Sequence, residues 1–515
     1  MTIRPPCEWF AGLREGVIVS AIRRRPERRS LRPARVGRIA VRVALLLCFI
    51  LPILSRPTRA EPTDSIQARR AARAWLRTAD RHLGTRLPRR IKSVATEQER
   101  GRSLYHVIHL RPEGFIIVAA DDLVHPIVAF SATGTFDPSD NGPLNRLIER
   151  DLPQRIAAVQ GIKLAPDKPA DEADRLGRLR KSRDHWRALL AAKGDIDNTR
   201  LGGAGSVSDE RVAPLVQSRW SQGSVGGQPC YNYYTPENYY CGCVATAMAQ
   251  IMRFHEHPTT GVGTDTFTIS VDGVIQTRDL RGGDGAGGPY DWANMVLVPS
   301  SGVTLAERQA IGALTHDAGV AVGTYYSSSG SGAYMSDARA ELVDTFDYSN
   351  AVHGRKYGQD LGAVLNDMTN PNLDAGLPVM LGISGDNGHA IICDGYGYEM
   401  STLYHHLNFG WSGANDAWYA LPNIGTSGNY NVVDDCIYNI YLSGTGEIVS
   451  GRVLTDAGLP VEGATVTGTR TGGGSWQDVT DSKGIYALVN IPSNSSLTLS
   501  AVKDGYVIPD TSAST

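Results

Sequence analysis

Two residues far apart in the chain could together perform thiol-based hydrolysis. Cys243 begins the segment CVATAMAQIMRFHEHP, and His389 follows a glycine-rich turn in GDNGHAIICDGYGY. A thiolate attacks a carbonyl carbon, and a neighbouring imidazole takes up and returns the proton. The pair predicts an enzyme that works through a thioester. Taken singly, Cys243 fits an inert turn cysteine equally well, and His389 fits a structural histidine better.

The residues after Cys243 predict how its thiol would be activated. Apolar residues repeat at helical spacing from Ala247 to Met252, and Pro258 ends the pattern, so we expect a helix over 243–255. Cys243 would lie at its N-terminus, where free backbone N–H groups and the helix dipole favour the thiolate.

Three further residues fill the remaining roles of a thiol peptidase. Asn408, in HHLNFGWSG, would accept the imidazole N–H of His389 and fix the ring plane, while Trp411 would shield that bond from water. Gln222, in PLVQSRWSQGSVGG, would stabilise the oxyanion together with the N–H of Cys243. The chain order Gln, Cys, His, Asn is that of papain-like peptidases.

These segments resemble the streptopain family of papain-fold cysteine peptidases over about residues 212–441. The motifs that carry the likeness are WSQ, GCVATAMAQIMRFHEHP, GSGAYMS, NGHAIICDGYG and HHLNFGWSG. The resemblance implies a broad-specificity endopeptidase acting on proteins or peptides, with a Cys nucleophile, a His base, an Asn that orients the base and a Gln oxyanion donor. In this order, these residues are Cys243, His389, Asn408 and Gln222.

The resemblance also implies which residues hold the substrate near the scissile bond, namely Gly388, Ser331, Gly332 and Trp411. The family commonly has Trp directly after the Asn, whereas this chain has Phe409. A phenyl ring can pack against the histidine, but it lacks an indole N–H.

Before the peptidase region, the pattern predicts a small α+β propeptide over 61–205. A helical pattern runs from Ser65 to about Asp80, strand-like runs follow, and a linker over 202–212 is rich in Gly and Ser. GFIIVAADDLVHPIVAFSATGTF resembles the inhibitory propeptide of the same family. This likeness implies a zymogen whose own propeptide inhibits it until the linker is cut.

The peptidase domain is expected over 206–443, with further helices over 305–320 and 334–346, and a last domain over 446–515. Short alternating strands such as EIVSGRVLT and YALVNIP predict a small β-sandwich in that last domain, with few strands left to close it. It is similar to the carboxypeptidase-regulatory-like modules of secreted enzymes, which implies a non-catalytic part that binds a surface or another protein. The predicted fold class of the whole chain is α+β.

Residues 1–60 have the pattern of an export leader. An arginine-rich stretch leads into an apolar run from Ile39 to Leu54, and Ala60 offers a small-residue cleavage point. The run contains Arg42 and, at about 16 residues, is shorter than the ~20 that span a bilayer. We therefore expect a secreted or cell-surface protein, with a retained N-terminal anchor as the alternative.

Seven cysteines are present, and two of them belong to the leader. The remaining five are Cys230, Cys241, Cys243, Cys393 and Cys436. An odd number in an oxidising compartment leaves one thiol free, and four cysteines allow three disulfide connectivities. One of these pairs Cys230 with Cys241 and Cys393 with Cys436, although Cys393 fits an inert core thiol equally well.

The formal net charge of −2 gives no electrostatic reason to expect nucleic acid or an anionic membrane as a partner. His255 and His257 alone are too few ligands for zinc, and the Asp residues between 261 and 288 lack EF-hand spacing. We therefore predict neither a metal nor a cofactor.

Two other functions share parts of the pattern. Transglutaminase-type acyl transfer uses a similar Cys-His pair, but it more often has Asp where Asn408 stands. A non-catalytic adhesin on a degenerate peptidase fold has no need of the complete Gln, Cys, His and Asn set.

Overall fold

The computed structural model describes residues 17–23, 60–160, 169–191, 208–356, 360–383, 388–421 and 432–515. These residues form an α+β protein, as predicted. Most of the predicted leader, including the apolar run from Ile39 to Leu54, lies outside the described ranges. Within them, no helix combines the length and apolar character needed to cross a membrane.

The N-terminal region contains a four-stranded meander flanked by helices. Its elements are β1 (Val17–Arg23), α1 (Ser65–Trp75), β2 (Arg90–Glu99), β3 (Arg102–Arg111), β4 (Phe115–Ala119), β5 (Ile127–Ser131), α2 (Pro143–Gln160) and α3 (Pro169–Ala191). Asp64 and Gln67 form a capping box that begins α1, and the helix ends at Trp75, before the predicted Asp80. The apolar runs predicted as strands are β3, β4 and β5. The polar strand β2 was not predicted, because its mixed composition lacks an apolar face.

The next region carries the predicted site residues. Its elements are β6 (Ser208–Val212), β7 (Ser224–Val225), β8 (Gln228–Pro229), α4 (Cys243–His255), β9 (Thr266–Val271), β10 (Val274–Asp279), α5 (Leu305–Ala321), β11 (Tyr325–Tyr326), α6 (Met335–Asp344), β12 (Asn350–Arg355), α7 (Val364–Asp374), β13 (Val379–Ile383), β14 (His389–Glu399), β15 (Thr402–Asn408), β16 (Ala417–Tyr419) and β17 (Val433–Tyr441). The three predicted helices are confirmed as α4, α5 and α6. Residues from Val244 to Met252 are buried, and α4 shares one core with α5 and β14.

One antiparallel sheet of 11 strands runs through both regions. Phe130 of β5 pairs with Trp418 of β16, so β2 to β5 extend the sheet that contains β12 to β17. β14 lies between β13 and β15, and β6 also pairs with β14. The prediction of a flexible linker over 202–212 is therefore wrong for 208–212, because backbone hydrogen bonds to β14 order this charged segment as a strand.

The C-terminal region forms a β-sandwich around its own apolar core. Its strands are β18 (Glu447–Thr455), β19 (Thr465–Arg470), β20 (Ser475–Val479), β21 (Ile485–Ile491), β22 (Ser496–Val502), β23 (Tyr506–Val507) and β24 (Thr511–Ser514). One sheet has the order β21-β18-β1-β23 and the other β20-β19-β22-β24. The first sheet thus contains β1, which the sequence analysis placed in the leader. Binding of this module to a surface or another protein stays a prediction.

All five cysteines of the described part are free thiols. Cys393 on β14 and Cys436 on β17 lie on opposite sides of β13. Strands two places apart are separated by about 9.6 Å, whereas a disulfide needs Cα atoms within about 7 Å. The prediction of a Cys393–Cys436 disulfide is therefore wrong. Cys230 and Cys241 are not bonded either, and the Cys241 thiol contacts the hydroxyl of Thr246 instead.

Candidate active site

Cys243 is the first residue of α4, directly after a turn that requires glycine. Gly242 has φ +92°, and a Cβ atom there would lie 3.2 Å from the carbonyl oxygen of Ser331. The loop before the helix can therefore pass close to Ser331 and place Cys243 at the first position of the helix. Cys243 is partly exposed, whereas Cys241 is fully buried.

The thiol of Cys243 contacts the imidazole of His389, because α4 packs against the strand that His389 begins. Burial alone would raise the pKa of this thiol, but the charge of His389 and the N–H groups of Ala390 and Val244 outweigh it, so the pKa is lowered. Burial and the Arg146 guanidinium lower the pKa of His389, but the Cys243 thiolate raises it more. The two shifts together favour a thiolate–imidazolium pair.

The His389 ring is oriented by a backbone carbonyl. Its Nε2 lies 3.0 Å from the carbonyl oxygen of Phe409. A carbonyl only accepts hydrogen bonds, so Nε2 carries a proton and Nδ1 is left to exchange a proton with the Cys243 thiol. His389 is only 8% exposed, which keeps water away from this bond.

Asn408 does not hold the imidazole directly, which corrects the prediction from the sequence. Its Oδ1 accepts from the N–H of Gly410 at 3.0 Å and from Nε2 of Gln250 at 3.2 Å, and its Nδ2 donates to the Ser218 carbonyl at 2.9 Å. These bonds fix the turn from Asn408 to Gly410. Asn408 therefore positions the Phe409 carbonyl that orients His389.

Asp416 supports the same turn from the other side, and the sequence analysis missed it. The N–H of Phe409 donates to Asp416 Oδ1 at 2.9 Å. Burial raises the pKa of Asp416 to about 6, against the opposing charge of His406 and the bond from Phe409. Nδ1 of His406 is in turn 2.6 Å from Asp394. No motif marks Asp416, because an Asp in a Gly- and Ser-rich loop is an ordinary turn residue.

Gln222 lies in the loop beside the N-terminus of α4. Its carbonyl oxygen accepts the N–H of Cys241 at 3.0 Å, two residues before Cys243. This bond brings the Gln222 loop to the end of the helix where an oxyanion would form. The Gln222 residue is partly exposed.

The four predicted substrate positions have different surroundings. Gly388 is exposed and directly precedes His389, and Trp411 is partly exposed three residues after Asn408. Ser331 has a buried hydroxyl that has no hydrogen-bond partner among the described residues. Both backbone groups of Gly332 are already bonded to Tyr325, at 2.9 and 3.0 Å. Binding of substrate by the Ser331–Gly332 region stays a prediction.

The N-terminal region covers the edge of the site at Trp411. A Cβ atom at Gly142 would lie 3.8 Å from the Trp411 ring and 3.5 Å from Nδ2 of Asn415. Arg146, one turn into α2, is close enough for its charge to act on His389. The start of α2 therefore lies beside the catalytic pair.

The two histidines at the C-terminal end of α4, His255 and His257, have structural contacts. The His255 ring lies 3.0 Å from the Tyr348 hydroxyl, and the His257 ring lies 3.0 Å from the Asp347 carbonyl. Across the ranges that the structure describes, no group of three His, Cys, Asp or Glu side chains could hold a metal ion.

Two sequence families match separate parts of the chain. Residues 220–419 match the peptidase C10 family, and residues 60–150 match the Spi protease inhibitor family. The first match contains Cys243, His389 and Asn408, and the second contains α1 to β5 and the start of α2. The predicted resemblance to streptopain-like peptidases and to their propeptide is confirmed.

The chain is also similar to individual relatives and to a solved structure. Streptopain of Streptococcus pyogenes serotype M1 is 25% identical over 339 residues, which are 64% of this chain and 76% of that protein. The thiol protease/hemagglutinin PrtT of Porphyromonas gingivalis is 27% identical over 385 residues, which are 73% of this chain and only 40% of PrtT. Among solved structures, a prointerpain A fragment of Prevotella intermedia is 23% identical, with a TM-score of 0.47, and covers 68% of this chain and 98% of that one.

Proposed function

We propose that this chain is a secreted cysteine endopeptidase, made as a zymogen, with Cys243 as nucleophile and His389 as general acid and base, because residues 220–419 match the peptidase C10 family. The observation that carries this proposal is the contact between thiol and imidazole, with the pKa of the thiol lowered and that of the imidazole raised. Such a pair supplies a thiolate at neutral pH.

The reaction runs in two steps. First, the Cys243 thiolate forms a C–S bond to the carbonyl carbon of the substrate, and the C–N bond breaks as His389 gives its proton to the leaving amine. The N–H of Cys243 and the side chain of Gln222 stabilise the oxyanion. Then His389 takes a proton from water, the oxygen attacks the thioester, the C–S bond breaks, and the acid product leaves with the thiolate restored.

The imidazole must keep one ring plane through both steps. The Phe409 carbonyl holds Nε2, and Asn408 and Asp416 fix the peptide groups on either side of that carbonyl. We assign Asn408 and Asp416 as positioning residues, because each acts through the backbone of Phe409. Gly388, which is exposed and directly precedes His389, and the partly exposed Trp411 remain the residues that we expect to contact substrate.

Latency follows from the position of the N-terminal region. Its loop at Gly142 lies against Trp411, and Arg146 lies near His389. A protein substrate would need this space, so the propeptide must leave before substrate binds. Since residues 208–212 belong to the large sheet, we place the release point before Ser208.

The leader makes export the natural route, since an arginine-rich stretch, an apolar run and Ala60 occur in the order of a signal peptide. N-terminal sequencing of the Cys243→Ala variant recovered from the culture medium tests this, because that variant should keep its propeptide. A new N-terminus near Glu61 is expected, and a chain that stays in the membrane fraction with Met1 intact would contradict export by cleavage.

One comparison tests the enzymatic proposal. The purified precursor and its Cys243→Ala variant are incubated with casein, with and without a thiol-alkylating epoxide. We expect the wild type to convert to a shorter form and to cleave casein, and both the epoxide and the substitution to stop both events. If Cys243→Ala still cleaves casein, Cys243 is not the nucleophile.

A further inference from the structure

The strand that precedes the peptidase core lies directly beside the strand of the catalytic histidine. In β6, Ser208 pairs with Glu399 and Val212 pairs with Tyr396 of β14. β13 pairs with the other half of β14, from His389 to Cys393. β13 and β6 therefore follow each other along one edge of β14, and an intact β6 completes that edge.

Two different parts of the chain hold β6 in the precursor. On the propeptide side, the Leu83 N–H donates to the Ser208 hydroxyl at 2.7 Å, and the Glu210 carboxylate lies over Gly84 so closely that a Cβ atom there would collide with it. These contacts leave with the propeptide.

The C-terminal sandwich supplies the other contacts. Nη1 of Arg452 lies 3.3 Å from Asp209, and Nζ of Lys483 lies 3.3 Å from Glu210. All four side chains are partly shielded from solvent, with exposed fractions between 11% and 34%. Two basic residues of the module thus face two consecutive acidic residues of β6.

The same face of the module contacts β14 through a buried carboxylate. Asp374 of α7 accepts from the Ser450 hydroxyl at 2.6 Å and from the Tyr396 hydroxyl at 2.7 Å. Tyr396 is the β14 residue that pairs with Val212. Ser450, Arg452 and Lys483, which we call the clamp surface, therefore reach both strands of the β6–β14 pair.

We infer that the C-terminal module holds the N-terminal strand of the mature peptidase in place, with the clamp surface binding Asp209 and Glu210. This inference rests on the proposed function, because release before Ser208 is what turns β6 into a chain end. A five-residue strand at a chain end frays unless it is tied down. After release, the ion pairs to Arg452 and Lys483 remain when the contacts with Leu83 and Gly84 are gone.

Backbone amide hydrogen exchange of residues 208–212 tests the inference. The full chain carries Cys243→Ala and a recognition sequence for a site-specific protease between residues 192 and 207, so that propeptide release does not depend on the chain's own activity. Exchange is compared before release and after removal of the propeptide, for Arg452→Ala/Lys483→Ala and for the control Lys503→Ala, a lysine near Gly463 in the same module.

We expect the double variant to exchange these amides about tenfold faster than its parent after release, and less than threefold faster before release. Lys503→Ala should match the parent in both forms. Equal rates in the parent and the double variant after release would overturn the inference, and so would an equal effect in both forms. Neither result bears on whether Cys243 cleaves casein. The hydrogen-exchange test can therefore fail while the casein test of the proposed function succeeds, and the reverse.

Reversing the charges of Glu210 and Lys483 separates the loss of their ion pair from misfolding of a variant. Glu210→Lys and Lys483→Glu should each accelerate exchange in the released form, and the combination should restore slow exchange, because it re-forms the ion pair with opposite polarity. If the combined variant exchanges as fast as the single ones, the Lys483–Glu210 pair does not hold β6.

Discussion

The thiol at the N-terminus of α4 has a lowered pKa, whereas the thiols buried in the loop before α4 and in the large sheet have raised pKa values. Burial raises the pKa of Cys241 to about 12 and raises that of Cys393 well above its usual value. Cys243, two residues after Cys241, has a lowered pKa, because His389 and the N–H groups of Ala390 and Val244 outweigh the desolvation of its thiol. A charged partner therefore distinguishes the nucleophile from the buried thiols.

The largest expected effect comes from replacing the Cys243 and Cys393 thiols one at a time. Cys243→Ala should reduce kcat/KM for a fluorogenic peptide by about 10⁴-fold or more, because no other group can form the thioester. Cys393→Ala should keep kcat/KM within about threefold and lower the free energy of unfolding by about 1–2 kcal/mol, the cost of a small core cavity. If kcat/KM of folded Cys393→Ala fell more than tenfold, the buried thiol would contribute to catalysis.

The second test compares the Cys243 and Cys241 thiols by their reaction with iodoacetamide at pH 6, in protein from which the propeptide has been removed. A thiol with a pKa near 12 is ionised in only about one molecule in a million at this pH, whereas an ion-paired thiolate is largely ionised. Peptide mapping should therefore find label on Cys243 and not on Cys241. In His389→Ala the labelling of Cys243 should slow at least tenfold, and unchanged labelling would show that the histidine does not set its pKa.

The pH dependence of kcat/KM follows from the same two shifts. The thiolate of Cys243 is lost as pH falls below its lowered pKa, and the proton of His389 is lost as pH rises above its raised pKa. Activity should therefore form a plateau between an acid limb that reports the thiol and an alkaline limb that reports the imidazole. His389→Ala should shift the acid limb of Cys243 alkylation to higher pH, because the thiol loses the charge and the hydrogen bond that lower its pKa.

The sequence predicts the catalytic roles of side chains better than the roles of backbone groups. Cys243 and His389 were predicted because their types and positions carry chemistry, and α4, α5 and α6 were predicted from apolar spacing. The role of the Phe409 carbonyl could not be predicted, since every residue has a carbonyl and only the fold aims one at Nε2. β6 was missed for a similar reason, because a short charged segment without an apolar face has no strand pattern, and only the fold places its backbone beside β14.

Asp416 probes the outer part of the site with a smaller effect. Asp416→Ala removes the acceptor for the Phe409 N–H, so kcat should fall about 10–30-fold with little change in KM. Asp416→Asn keeps an acceptor oxygen and should retain most of kcat. Because the folded protein raises the pKa of Asp416 from 3.8 to about 6, its ionisation lowers stability as pH rises from 3.8, and the loss is complete above about 6. Asp416→Asn should therefore raise the free energy of unfolding at pH 7 by about 1 kcal/mol. Equal losses of kcat in both variants would exclude a positioning role.

Phe409 should show the smallest catalytic effect, because it belongs to both regions at once. Its carbonyl orients His389, whereas its side chain is fully buried in the same core cluster as Cys393. Phe409→Leu keeps the carbonyl and removes part of the ring volume, so kcat/KM should stay within about threefold while the free energy of unfolding falls by about 1–2 kcal/mol. Thermal unfolding and peptide cleavage measured on one preparation separate the two effects. A large loss of kcat with unchanged stability would mean that the ring itself acts on the imidazole, and that the sheet interior and the catalytic pair are not separate at this residue.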